Sequence, residues 1–367
     1  MLDPDHLLAG PRGRRLCLEF VLALAREAAT PLAEELLRAV FFAAHQLDPG
    51  CGVSRVMLSA SGEEPSPAMP SFTPEDVAEL VGVLPLTDID DCLLMDALTA
   101  AVDSAQYWQE PDGEDVVAAE PSVQASLTRI AASIASSDAA AWWVEPLSRT
   151  AQYSVAFQDG DSPASTLPGT ATEHLERWRS ETVTSETRAR RDRPPDPHAN
   201  WSGEWWSTPP RHLTRTTRSR GTEGALGLRL VEDAHGWDRA FVHPVDVPDT
   251  LNVYEVDGPQ AWARLCGRFP LEVTASRRHD WFRTTGAAGR WVIPDWSQAA
   301  EEFDAIHLTV AGYLATAGRA VAVTEDTASV LAGWDPDQTY WLTDVVLASA
   351  PERTWIRDDD TWTEQTH

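Results

Sequence analysis

The chain has 367 residues, and 57 acidic against 29 basic side chains leave a net charge of −28; at roughly 100 to 200 residues per domain the length allows two domains. No lysine occurs, so all 29 basic residues are arginine. This excludes chemistries that need an amine: a P-loop phosphate site, a protein-kinase site, and Schiff-base or pyridoxal catalysis.

The carboxylate surplus argues against general nucleic-acid binding and against an anionic membrane surface, because both need a basic face. An apolar fraction of 43% with 23% charged residues is enough to bury a core. Cys17, Cys51, Cys92 and Cys266 lie far apart, with neither Cys-x-x-Cys nor zinc-like spacing. They read as reduced thiols of a cytoplasmic protein, and no metal site is expected. Sixteen tryptophans outnumber the five tyrosines and nine phenylalanines together, and all but Trp108 lie from residue 142 onward. The search for function therefore moves to the C-terminal half.

In chain order, Arg12, Arg14 and Arg15 precede an apolar run from Leu16 to Ala25 that imitates a signal peptide. Glu19 interrupts the run, and Leu16, Phe20, Ala23 and Leu24 share a helical face, which favours a core helix. No run approaches the roughly 18 apolar residues of a membrane helix. Periodicity near 3.6 predicts helices at 16–27, 31–46, 74–83, 91–108 and 122–136. Thr73, Pro74, Glu75 and Asp76 form the clearest helix start: a capping hydroxyl, proline in the first turn, then acids. Ser59 to Pro70 reads as an exposed loop, and Asp159 to Thr172 as a Gly/Pro-rich connector. A charged helix carrying Leu175 and Trp178 follows over 173–193, ended by the prolines of 194–197.

From Trp201 the pattern changes to short strands with a few helices. Leu226, Leu228 and Leu230 alternate at strand period, and further strands are expected at 240–242, 251–256, 291–293, 306–310, 321–323 and 340–347. Trp262, Leu265, Cys266 and Phe269 form one helical face, and Asp295 with Gln298 has capping-box spacing. The expected fold is α+β: a mainly helical domain at 1–158, a connector with a charged helix at 159–200, and a Trp-rich α+β domain at 201–367. Trp142-Trp143 and Trp205-Trp206 share the spacing Trp-Trp-x-x-Pro, a faint internal echo.

Two arginine groups stand out against the acidic background. Arg211, His212, Arg215, Arg218 and Arg220 occupy ten residues without an acid; Arg277, Arg278, His279 and Arg283 surround Asp280, Trp281 and Phe282. Guanidinium forks suit phosphate or carboxylate, and an indole can stack on a base, so both groups point to a nucleotide-sized anion. Surface pairing with the surplus acids is the plainer alternative. His307 alternates with Ile306 and Leu308 on a strand and shares its face with Thr309, making it a candidate acid, base or ribose ligand. Gly-x-Ser-x-Gly, His-Glu-x-x-His and Gly-x-Gly-x-x-Gly signatures are all missing.

The segments Gly203-Glu-Trp-Trp-Ser-Thr-Pro209, Ser276-Arg-Arg-His-Asp-Trp281, Ile293-Pro-Asp-Trp296, His307-Leu-Thr-Val-Ala-Gly-Tyr313 and Gly333-Trp-Asp-Pro-Asp-Gln-Thr-Tyr-Trp-Leu342 resemble a protein group found in actinobacteria, which implies no particular activity. More remotely, an aromatic residue followed by Ser207-Thr208 is similar to the strand that mono-ADP-ribosyltransferases place beneath the nicotinamide side of NAD. The resemblance implies NAD as cofactor, with Ser207 and Thr208 at the nicotinamide ribose. Pro209 stands where that family has its last serine. The available catalytic acids are Glu255, in Val-Tyr-Glu-Val, and Glu301 or Glu302. The expected site thus takes His307 and Glu255 for chemistry, and Trp206, Ser207, Thr208, Arg215, Arg278 and His279 for the ligand. The competing expectation is a non-catalytic protein that docks a partner through its tryptophans.

Overall fold

Proline opens six of the helices. It has no N–H to satisfy and its φ is already helical, so the first turn suits it. In the computed structural model Pro4, Pro11, Pro31, Pro74, Pro121 and Pro259 sit in the first turns of α1 (Pro4–Ala9), α2 (Pro11–Ala28), α3 (Pro31–Leu47), α4 (Pro74–Val83), α7 (Pro121–Ser136) and α9 (Pro259–Arg268). Residues 2–51, 70–86, 89–158, 169–344, 347–348, 350–358 and 361–365 are described. All but Pro70 of the expected 59–70 loop, and most of the 159–172 connector, lie outside them. The capping box at Thr73 is present, Thr73 and Asp76 each satisfying the other's backbone N–H.

With α5 (Asp91–Asp103) and α6 (Gly113–Ala119), helices α1, α3 and α7 surround α2, which is buried along most of its length. Arg12 and Arg15 on it do not face solvent. Arg15 donates to Glu19 at 2.8 Å and to Asp112 at 2.8 Å, and Arg12 pairs with Asp115, so acids at the start of α6 neutralise two of the three cations that imitate a signal sequence, while Arg14 donates to the Leu8 and Ala9 carbonyls. The helical region runs on through a 3-10 turn (Asp138–Val144) to α8 (Ala171–Asp192), interrupted by β1 (Gln152–Phe157).

That strand joins the sheet of the following region. The remaining elements are β2 (Arg215–Arg218), β3 (Arg239–Asp246), β4 (Val253–Val256), β5 (Pro270–Glu272), α10 (Thr274–Thr285), β6 (Arg290–Pro294), α11 (Trp296–Ala299), β7 (Ala305–Leu308), α12 (Val310–Thr316), β8 (Val321–Ala322), β9 (Thr327–Ser329), β10 (Thr339–Trp341), β11 (Leu347–Ala348), β12 (Arg353–Asp358) and β13 (Thr361–Glu364). The larger sheet runs β13-β12-β3-β1-β2-β10-β7-β4 with β11 beside β3, antiparallel except for β4 against β7. A second sheet runs β5-β6-β9-β8. The fold is α+β, and one continuous apolar core includes α2, α9, α12 and β7. Trp262, Trp296, Trp334 and Tyr340 meet within it, with ring centroids 5.0 to 6.4 Å apart. Such tilted and edge-on contacts are favoured by the ring quadrupole.

Three expectations need correction. Leu226 to Leu228 form a 3-10 turn, not a strand; Leu226, Leu228 and Leu230 are all buried, which is what their alternation recorded. The strand at 306–310 ends at Leu308, because the Thr309 hydroxyl accepts from Gly312 N–H and caps α12. Asp295 makes no backbone cap; its carboxylate takes Arg179 Nε at 2.6 Å and Gln298 Nε2 at 2.7 Å. The Trp-Trp echo also has no common structure, since Trp142-Trp143 lie in the 3-10 turn and Trp205-Trp206 in extended chain.

At Gly312 a Cβ would stand 2.1 Å from the Val256 carbonyl oxygen, whereas at Gly82 in α4 it would meet nothing within 4 Å. Gly312→Ala should therefore destabilise by about 1–3 kcal/mol or more, the range for overpacking. Gly82→Ala should instead be stabilising, by about 0.5–1 kcal/mol. Urea unfolding of the two variants checks both signs.

Candidate functional site

Strand register aligns the first group of predicted residues. Glu255 on β4 pairs across to His307 on β7, and His307 to Thr339 on β10. His307 is wholly buried, with Nδ1 2.5 Å from Glu255 Oε2 and Nε2 3.5 Å from Asp337 Oδ1. Asp337 adopts a left-handed φ of 57°, a strained setting for a side chain other than glycine. Its carboxylate accepts from Arg218 N–H at 2.8 Å and Arg218 Nε at 2.6 Å. Arg218 also reaches Glu145 at 2.9 Å, and Glu255 accepts from Leu147 N–H at 3.0 Å, tying the segment after the 3-10 turn to the sheet. Burial lowers the His307 pKa, but the hydrogen bonds and charges of Asp337 and Glu255 outweigh it and raise it to about 9. The two predicted catalytic residues therefore meet, in a buried ionic network that leaves His307 Nε2 without a close hydrogen bond.

The second arginine group has a different task. Residues 193–210 form a strap without helix or strand, and α10 holds its main chain. Arg278 donates to Pro195 O at 2.8 Å, Arg283 to Trp201 O at 2.9 Å, Trp281 to Trp205 O at 2.7 Å and Arg277 to Trp206 O at 3.3 Å. Arg277 pairs with Glu204 at 2.6 Å, and its guanidinium carbon lies 5.9 Å from the centre of the Trp206 ring. Asp280 accepts from Ser202 Oγ and Gly203 N–H. His279 is buried among these groups, and neither of its ring nitrogens has a partner among the described residues. Arg278 and His279 are thus set against the strap and not in a cavity with the other candidates.

The strap presents its two indoles to a cleft of about 560 Å³, walled by α8 on the other side. Trp205 packs inward against Trp108, ring centroids 5.0 Å apart, while Trp206 is 40% exposed. Gly333, at φ +79°, lies so close to both that a Cβ would fall 3.1 Å from Trp206 and 3.2 Å from Trp205. Thr208, Arg211, His212, Arg215 and Tyr340 line the cleft with them. Ser207 stands behind it, wholly buried and bonded to the Ala332 backbone. Arg177, Arg211 and Arg215 have no carboxylate within 4.0 Å among the described residues, and Glu181 is the single carboxylate of the lining.

Of the predicted residues, then, Trp206, Thr208 and Arg215 share the cleft, Ser207 backs it, and His307, Glu255, Arg278 and His279 lie elsewhere. Strand alternation divides the first arginine group: Arg215 faces the cleft, while Arg218 turns to Asp337. Sequence reasoning missed His174 and Arg177, which line the cleft with Trp178 and Glu181. Their spacing of three, four and seven residues puts all four on one face of α8, a signal present in the sequence. Burial, then the charges of Arg211, His174 and Arg177, lower the pKa of His212. No group of three or more His, Cys, Asp or Glu among the described residues could hold a metal ion. No helix among them is long and apolar enough to cross a membrane. No protein-family model, curated protein or solved structure matches the chain.

The raised pKa of His307 fixes a sign. A histidine with an ordinary value near 6.5 when unfolded and about 9 when folded stabilises in full below the first and loses that contribution as pH rises through the second. Glu232, pushed up by burial and Asp335 to about 8, also loses stability with rising pH, so a variant must isolate the histidine. The stability excess of the parent chain over His307→Asn should be largest near pH 6 and shrink towards pH 10, measured by urea unfolding. A difference that stays constant over that range would show that another group titrates.

Proposed function

We propose that the chain binds a nucleotide-sized anion in the cleft between α8 and the strap, with NAD the first candidate ligand. The observation that carries the reading is that three arginines, Arg177, Arg211 and Arg215, converge on one cavity with no carboxylate within 4.0 Å among the described residues in a chain of net charge −28. Cations left unpaired amid so many acids are suited to an anion that arrives from solution. Trp178 and Trp206 offer indole faces for a base or a nicotinamide ring, and Thr208 lines the cleft beside Tyr340. The volume of about 560 Å³ falls within the range of ligand pockets, roughly 300–1,000 Å³. His307 and Glu255 do not line this cleft, so the proposal concerns binding and not an ADP-ribosyl transfer.

Calorimetric titration with NAD, ADP-ribose and ATP tests it. Arg215→Gln should weaken the bound nucleotide by about tenfold, equivalent to about 1.4 kcal/mol. Trp206→Ala should remove a stacking contribution of about 1–3 kcal/mol, and added salt should weaken binding further. Absence of binding by all three nucleotides at millimolar concentration would sink the reading. Trp201 and Trp206, each 40% exposed on the strap, also suit docking of a protein; in that case Trp206→Ala would abolish a complex and nucleotides would leave it unchanged.

A further inference from the structure

We infer that the cleft hydrolyses the pyrophosphate link of its ligand, with His212 as the base that activates water and His174 as the acid that protonates the leaving phosphate. The inference rests on the cleft being a nucleotide site. Its own evidence is the pair of imidazoles. His174, on α8, is 5% exposed, its side chain makes no hydrogen bond among the described residues, and its Nδ1 is sealed from solvent. His212 lies across from it with ring centroids 5.5 Å apart, and its side chain likewise makes no hydrogen bond there.

Buried polar atoms are nearly always partnered, and an imidazole left without a partner costs stability. Trp178, Trp206, Pro209 and Pro210 are apolar at their faces, Arg177, Arg211 and Arg215 are donors, and Glu181, Thr208 and Tyr340 make no hydrogen bond to either ring among the described residues. A phosphate supplies acceptors to both rings and counter-charge to the three arginines together. The environment also separates the roles. Burial and the neighbouring Arg211 favour the neutral ring at His212, the form a general base requires.

The step balances without a further reactant. Water adds to one phosphorus of the P–O–P link as His212 takes its proton. The bond from that phosphorus to the bridging oxygen breaks, and the oxygen leaves on the second phosphate with the proton of His174. With NAD and water the products are nicotinamide mononucleotide and AMP. The arginines carry the charge that builds on the equatorial oxygens, and proton exchange with solvent restores both rings.

The full chain is incubated with NAD and with ADP-ribose, and products are followed by phosphorus NMR in water enriched in oxygen-18. A non-hydrolysable methylene-bridged ADP analogue measures binding separately. The expected result is turnover with one labelled oxygen in one product phosphate. His212→Asn and His174→Asn should each lose about 100-fold or more in rate, as general acid–base catalysis implies, while binding of the analogue, which loses one ring contact, should weaken by about tenfold at most. His212 lies at the half-exposed rim, so its variant keeps the test valid if His174→Asn fails to fold. It should also remove the acidic limb of the pH–rate profile. Binding of the analogue with no product from either nucleotide would overturn the hydrolysis and leave the binding reading standing. Rates in both variants equal to the parent would overturn the histidine assignment, and absence of analogue binding would remove both proposals.

Discussion

The larger sheet is organised by the need to keep buried charge compensated. His307 lies at 0% exposure between Glu255 and Asp337, and Asp337 is held in turn by Arg218. Ions withdrawn from water are tolerated only with close partners, and removal of one partner typically costs about 3–5 kcal/mol because the other is left uncompensated. Each partner here comes from a separate place in the chain: β4, β7, the turn before β10, and β2. The register of the sheet is therefore coupled to ionic pairing as well as to apolar burial. The same network fixes the strained turn at Asp337 and draws in Leu147, where the helical region passes into the sheet.

The cleft is assembled on that frame from three independent sources. Its floor comes from β2 and β10 through Arg215 and Tyr340, one wall from α8, and the other from the strap. The strap has no regular secondary structure of its own between 201 and 210. Its position comes from α10, whose Arg277, Arg278, Trp281 and Arg283 satisfy carbonyls that a sheet would otherwise have paired. Trp205 adds a link to the helical region through Tyr107 and Trp108.

Much of this was legible in the sequence, and the failures have physical causes. Helices with one apolar face, such as α3 and α4, follow from period and caps, because a single interface dictates both. Pro121 and Pro259 carried the same start signal as Pro74 and could have been used alike. Leu226 to Leu230 misled because alternation records burial and not backbone angle. At Thr309 a hydroxyl that could have continued a strand instead closed a helix N-terminus. The site was only partly legible for a similar reason. Residue type identified groups fit for an anion, but which arginine meets solvent and which meets a carboxylate depends on strand alternation and on partners far along the chain. Arg215 and Arg218, three residues apart, have opposite fates.

Apart from His307, the buried cations among the described residues, Arg12, Arg15, Arg218 and Arg277, are guanidinium groups. An ammonium taken out of water can shed its proton and become a neutral amine, giving a core a way to relax without unfolding. These guanidinium groups have no such outlet. Their charges are permanent fixtures, and each is held beside a carboxylate: Asp115 for Arg12, Glu19 for Arg15, Asp337 for Arg218 and Glu204 for Arg277. The chain likewise offers no side-chain amine to acylation, glycation or isopeptide tagging, which places most of its surface beyond the reach of amine chemistry.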